Sequence, residues 1–199
     1  MATGTFRGFV CVTIAPSIRV FLGEFAAGAR QVFPMFRFVP SDNLHITLQF
    51  LGNDVERAMI PILLDAIGQS VTHITPFDLC LESASAFPAR GRPRVLYVRT
   101  GEGSRQLAEL ARSVRSGLSA LGFKEDKPFQ PHITLARRQR GADTAGSVNE
   151  RDLWEKAFSL RCESGLCWRV SEVFLMESTL SPAGAVYSEL GRVALSGRR

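Results

Sequence analysis

The chain contains three histidines, His45, His73 and His132, and two of them open the same tetrapeptide. His45-Ile46-Thr47-Leu48 reads HITL, and so does His132-Ile133-Thr134-Leu135, 132 − 45 = 87 residues later. Three histidines make three pairs, so with a chance of about 0.06 per matched residue the coincidence is on the order of 10⁻³. An imidazole titrates near neutrality, and a pair can divide the work of accepting and donating a proton. A threonine hydroxyl beside each imidazole can donate to an anionic oxygen. That set suits phosphate-ester chemistry. On a cyclic phosphodiester, one imidazole activates water for in-line attack at phosphorus and the other protonates the leaving ribose oxygen. The hydroxyls stabilise the charge that grows on the non-bridging oxygens.

For this to work both tetrapeptides must be strands that face one cleft. Side chains on a strand alternate between its faces. Leu44, Ile46, Leu48 and Phe50 are predicted on a core face, and His45, Thr47 and Gln49 on the opposite one. In the second copy Ile133 and Leu135 point to the core, while His132 and Thr134 point away. Two ordinary strands with incidental histidines form the bland alternative. Zinc held by His45 and His132 is another, but no Asp or Glu neighbours either motif closely. His73 falls on or beyond a helix end and reads as structural or exposed. No metal and no other cofactor is expected.

The flanking sequence supplies elements of both kinds. Strands are predicted at Phe6–Ala15, Phe36–Val39, Leu44–Leu51, Phe77–Phe87, Arg94–Thr100 and Pro131–Arg137, with extended segments at Trp168–Leu180 and Val186–Leu195. Helical spacing runs from Ser17 through Ile18, Leu22, Phe25, Ala29 and Val32 until Pro34 stops it. A second helix is predicted from a cap at Asp54 through Val55, Leu63, Ile67 and Val71, with Pro61 either kinking it or starting its regular part. A third is capped by Ser104, carries Leu107, Leu110, Val114 and Leu118 on one face, and ends at Gly122. Gln139–Ser147 reads as a polar loop. Strands and helices mix without βαβ alternation, and no linker divides the chain. The predicted class is α+β, helices covering antiparallel sheets, in one domain of residues 1–199 built from two similar halves.

With 199 residues, 45% hydrophobic and 22% charged, the chain is an ordinary globular protein rather than a disordered or low-complexity one. Its formal net charge of +5 favours polyanions, with arginine clusters at Arg90, Arg92 and Arg94, at Arg137, Arg138 and Arg140, and at Arg198 and Arg199. For any single cluster, solvated loops and termini are the favoured reading. Cys11, Cys80, Cys162 and Cys167 contain no CxxC pair, and Cys11 and Cys80 read as buried thiols in apolar strands. The start lacks a secretory signal pattern and no apolar run is long enough for a membrane span. A soluble, cytoplasmic, reducing setting is expected, with no membrane association. No heptad or exposed apolar stripe demands a dimer, so a monomer is expected.

At these motifs the sequence resembles the two-histidine (2H) phosphoesterases, defined by paired HxTx motifs. Within them it looks like the bacterial RNA 2′,3′-cyclic phosphodiesterases, once called 2′-5′ RNA ligases. Val39-Pro40, Asn43 to Leu48 and Phe50-Leu51-Gly52 are similar to the first signature, and Pro93 to Tyr97 to a middle strand. Gly122-Phe123, Pro128-Phe129 and Pro131 to Arg137 are similar to the second signature, and Ser178, Leu180, Gly184, Tyr187 and Leu190 to the C-terminal strands. The resemblance implies two pseudo-symmetric lobes around an open cleft. It implies metal-independent conversion of an RNA terminal 2′,3′-cyclic phosphate to a 2′-phosphomonoester. His45 becomes the proton donor and His132 the acceptor, an assignment the residues alone leave symmetric. Thr47 and Thr134 become phosphate binders.

The resemblance also points to Arg137 as a phosphate binder. Strict alternation disagrees: His132, Thr134 and Ala136 share a face with Arg138, and only a bulge or the strand's end re-aims Arg137. Phe129 is either packing or a stacking surface for a base near the cleft. The partner implied is RNA or an oligonucleotide with a 2′,3′-cyclic phosphate end. Other readings keep the site: hydrolysis of a small nucleotide cyclic phosphate, ligation of 2′-5′ RNA ends, or RNA binding without turnover.

Overall fold

The computed structural model describes residues 4–124, 127–139, 141, 149–160, 165–181 and 184–197. Cys162, Arg140, Arg198, Arg199 and most of the predicted polar loop after Gln139 lie outside these residues.

Two antiparallel sheets carry the structure. The first runs in the order β3-β1-β8-β9, from β1 (Thr5–Thr13), β3 (His45–Glu56), β8 (Glu172–Ser181) and β9 (Gly184–Ala194). The second runs β2-β6-β5-β4-β7, from β2 (Phe36–Phe38), β4 (Phe77–Phe87), β5 (Val95–Thr100), β6 (His132–Arg138) and β7 (Cys167–Val170). Each sheet therefore holds one HITL strand. Four α-helices occur among the described residues: α1 (Pro16–Val32), α2 (Ile60–Val71), α3 (Ser104–Ser119) and α4 (Glu150–Ser159). The class is α+β, as predicted.

The helices cover the sheets in pairs. The α1 helix presents Phe25 to Trp154 and Phe158 of α4 with ring centroids 4.9 and 5.2 Å apart, and α4 lies against β4. The α2 and α3 helices pack on each other and reach β9 and β3. Alternation on β1 sorts its apolar residues in two directions. Phe6, Val10 and Val12 enter the main core, whereas Phe9 and Cys11 join Phe174 in a small cluster on the opposite face. Burial holds Cys11 as a neutral thiol by pushing its pKa well up, as predicted for a buried cysteine.

Four expectations are corrected. Asp54 does not cap a helix: β3 runs on to Glu56 because Val55 is buried opposite Phe6 of β1, and α2 begins at Ile60 with Pro61 in its first turn. The segment from Trp168 to Leu180 is two strands in different sheets, parted at Ser171. The α4 helix escaped prediction although Asn149 caps it and Trp154 and Phe158, four residues apart, are fully buried. Cys80 is not a free thiol: it stands directly opposite Cys167 across the β4–β7 pair and is disulfide-bonded to it.

Candidate active site

The strands β3 and β6 approach one another across the junction of the two sheets. His45, Thr47, His132, Thr134 and Arg137 line one cavity of about 240 Å³ there. Its shape follows from a departure from alternation that both HITL copies share. Against β1, Thr47 pairs with Cys11 and Gln49 with Val10, so Leu48 is an extra residue. Against β5, Thr134 pairs with Tyr97 and Ala136 with Leu96, so Leu135 is an extra residue. Each is a β-bulge, and each exchanges the faces of the two residues that come next. Gln49 and Ala136 turn inward and are fully buried. Phe50 and Arg137, each five residues after its histidine, turn into the cavity.

The bulge corrects the expectation that Phe50 belongs to the core face and Gln49 to the cleft. It also separates the two arginines. Arg137 lines the cavity, whereas Arg138 turns away from it. There Arg138 donates from Nε to the Pro93 carbonyl at 2.7 Å, pairs with Glu150 of α4 and lies 4.5 Å over the Phe36 ring.

The surroundings of the two imidazoles repeat as well. His45 Nδ1 lies 2.7 Å from the Asn43 carbonyl, and His132 Nδ1 lies 2.7 Å from the Gln130 carbonyl. A carbonyl only accepts, so Nδ1 carries the hydrogen in both rings, and Nε2 is the atom that exchanges a proton. Each ring is also held by a phenylalanine and a tyrosine. Phe9 and Tyr187 stand 4.8 and 5.2 Å from His45, and Phe87 and Tyr97 stand 5.2 and 5.5 Å from His132. His45 Nε2 lies 3.1 Å from Thr47 Oγ1.

Burial pushes both imidazoles below the ordinary histidine range. The main-chain carbonyls oppose this by favouring the charged ring, and the nearby charge of Arg137 adds to the depression of both. His132 depresses His45 further. The depression favours the neutral form of both rings. Burial also pushes the Tyr187 phenol up, against Arg137 and Arg7, so its hydroxyl is a hydrogen-bond donor.

Sequence reasoning did not single out Arg7, Asn43 and Phe50 as site residues, yet they line the same cavity, as do Ser178 and Tyr187, which pair across β8 and β9. In the sequence Asn43 stands only as the first residue of the stretch similar to the family's first signature. Its side chain reaches β9, donating to the Ala185 carbonyl at 2.7 Å. Phe129 lies outside the cavity, half-buried under the Arg115 guanidinium at 5.4 Å, in a neighbouring groove with Phe87 and Tyr97. His73 sits in the groove between α2 and α3 and is exposed, 3.4 Å from the Ser113 hydroxyl. Among the described residues no group of three or more His, Cys, Asp and Glu side chains is placed to hold a metal ion. Among the described residues no helix is long and apolar enough to cross a membrane.

Fold and site together define a two-lobed α+β protein with one imidazole from each lobe in a shared cleft. The family model of the 2′-5′ RNA ligase superfamily matches residues 17–181, and the chain belongs to that family. A curated RNA 2′,3′-cyclic phosphodiesterase of Thermus thermophilus is 34% identical, with 96% of this chain and 91% of that protein covered. Another of that name, from Archaeoglobus fulgidus, is 32% identical over 92% and 97% of the two chains. Among solved structures, TT0787 of Thermus thermophilus superposes with a TM-score of 0.77 at 32% identity, covering 97% of this chain and all of that one. LigT of E. coli gives 0.72 at 26% identity over 97% and 99%, and has also been crystallised with 3′-AMP and with phosphate.

Proposed function

We propose that the protein hydrolyses the terminal 2′,3′-cyclic phosphate of RNA to a 2′-phosphomonoester, without a metal. The activity named for its relatives supports the substrate class. The observation that carries the mechanism is the convergence of two Nε2 proton-exchange sites, two threonines and Arg137 on one cavity of about 240 Å³.

His132, kept neutral by burial, accepts a proton from water at Nε2 as the water oxygen bonds to phosphorus. The bond from phosphorus to the ribose 3′-oxygen breaks, and His45 delivers its Nε2 proton to that oxygen. His45 must therefore enter the reaction charged. The phosphodiester supplies the reason: its negative charge favours the imidazolium and offsets the burial that favours the neutral ring. Thr47, Thr134 and Arg137 hold the non-bridging oxygens, and donors fixed in advance need no reorganisation as charge grows there. The cavity falls just under the range of about 300–1,000 Å³ that encloses a whole small ligand. It admits the phosphate and its ribose and leaves the rest of an RNA strand outside.

The test is turnover of a cyclic mononucleotide and a cyclic-ended oligomer in the presence of a strong chelator. Full activity is expected, with His45→Ala and His132→Ala each about 10²–10⁴-fold slower and the double variant losing far less than the product. A folded single variant with near-normal rate overturns the two-histidine mechanism. Loss of activity on chelation, restored by added metal, overturns its metal independence.

A further inference from the structure

The bulge in β6 sets what Arg137 stands beside as well as where it points. On the ladder with β2, Arg138 pairs with Phe36, Arg137 with Arg37 and Ala136 with Phe38. Phe36 and Phe38 are buried and Arg37 between them is exposed, so Arg37 projects from the same face of the sheet as Arg137. Two guanidinium-bearing residues thus stand directly opposite each other, a spacing of about 4.5–5.5 Å between Cβ atoms. Like charges at such a pair oppose folding, and the chain already carries a formal net charge of +5. Stability does not explain the pair, and a ligand with more than one negative charge does.

Arg37 also reaches beyond the reacting centre. A methyl group built on Gly184 would lie 3.5 Å from Arg37 Nη2, so the guanidinium extends to the turn of the β8–β9 hairpin, whose Ser178 and Tyr187 line the cavity. On its outer side Arg37 joins Arg30, from the last turn of α1, and Gln139 in an open groove of about 570 Å³. Positive charge therefore runs from the cavity over the edge strand β2. Resting on the reaction proposed above, we infer that Arg37 binds the phosphodiester on the 5′ side of the reacting nucleotide, so that the RNA strand leaves the cavity over β2. Arg137 holds the phosphate being hydrolysed, and Arg37 holds the next phosphate of the same strand. A backbone contact carries no base preference. It distinguishes an RNA end from a free cyclic nucleotide, which has no 5′ phosphate.

The test compares equilibrium binding of adenosine 2′-monophosphate with that of adenosine 2′,5′-bisphosphate, which adds only the 5′ phosphate. The wild-type protein is expected to prefer the bisphosphate by about 2- to 5-fold in dilute buffer, the worth of one exposed ion pair. That preference should fade toward 1 M salt, where the screening length is about 3 Å. Arg37→Ala brings the ratio close to one, Arg37→Lys keeps it, and Arg37→Glu reverses it. Arg112→Ala removes the same charge from the exposed side of α3 and should leave the wild-type ratio in place. Because Arg37 is exposed, its variants should fold, which circular dichroism checks. A wild-type ratio near one overturns the inference. So does a ratio that survives Arg37→Ala, or one that Arg112→Ala lowers equally. Turnover of the cyclic substrate is measured separately. Its absence defeats the proposed reaction, while the binding ratio still decides the role of Arg37.

Discussion

Arg137 and Arg138 are neighbours in sequence, and the structure assigns them opposite fates that mutation can read out. Arg138 is built into the protein: its side chain is 9% exposed, bonded to the Pro93 carbonyl, ion-paired with Glu150 and stacked on Phe36. Arg138→Ala leaves the Glu150 carboxylate and the Pro93 carbonyl without this donor. Breaking a largely buried pair from one side costs about 3–5 kcal/mol. At roughly 2–4 °C per kcal/mol for a domain of this size, the melting temperature should fall by about 6–20 °C. Arg137 is exposed at the cavity, so Arg137→Ala should change stability by no more than about 0.5 kcal/mol. It should lose one charge-assisted bond to the phosphate, about 1.5–3 kcal/mol, or roughly 10- to 150-fold in kcat/KM. The assay pairs thermal unfolding of both variants with turnover of a cyclic mononucleotide. A destabilised Arg137→Ala with intact kcat/KM, or an active-site phenotype confined to Arg138→Ala, would refute the reading of the β6 bulge.

Both histidines are depressed by burial, so the unfolded chain binds their protons more readily than the fold. Their contribution to stability should be flat above pH 6.5 and should fall as pH drops from there toward the folded-state values. His45→Ala and His132→Ala should each reduce that slope in melting scans between pH 7.5 and 5. The acid limb of kcat/KM, which reports the free enzyme, should lie below 6.5 for the same reason. Arg115 of α3 donates to the Leu48 carbonyl at the first bulge at 2.9 Å and to the Lys127 carbonyl ahead of the second motif at 2.8 Å. Arg115→Ala should therefore lower kcat/KM about 10- to 100-fold by misplacing the two copies, and Arg115→Lys, with one amine for two carbonyls, should not restore it. The Cys80–Cys167 disulfide closes a separation of 87 residues. Its reduction should remove about 2–4 kcal/mol of stability in denaturant titrations with and without thiol. The disulfide lies on the β4–β7 pair, with β5 between it and β6, so turnover at 25 °C should persist.

Much of the fold and the site was legible in the residues themselves. The repeated HITL, flanked by turn residues and alternating apolar positions, marked two strands with an imidazole and a hydroxyl on the face away from the core. The helical stripes of α1 and α3 were equally plain, because strand alternation and helical recurrence are local properties of a chain. The pairing of Cys80 with Cys167 was not legible, since spacing does not specify connectivity. Nor was the start of α2, because the length of β3 depends on how far β1 runs beside it.

The bulges matter most, because they decide which side chains complete the cavity. Nothing in HITLQF or HITLAR says that the leucine is an extra residue. That is settled by the register against β1 and β5, strands that lie far away in sequence. Alternation read from the sequence placed Phe50 in the core and Arg138 beside His132. One unpaired residue in each ladder reverses both, because a single step along a strand exchanges its two faces. The sequence alone determined the imidazoles and hydroxyls. Pairing with distant strands decided that a phenyl ring and a guanidinium join them.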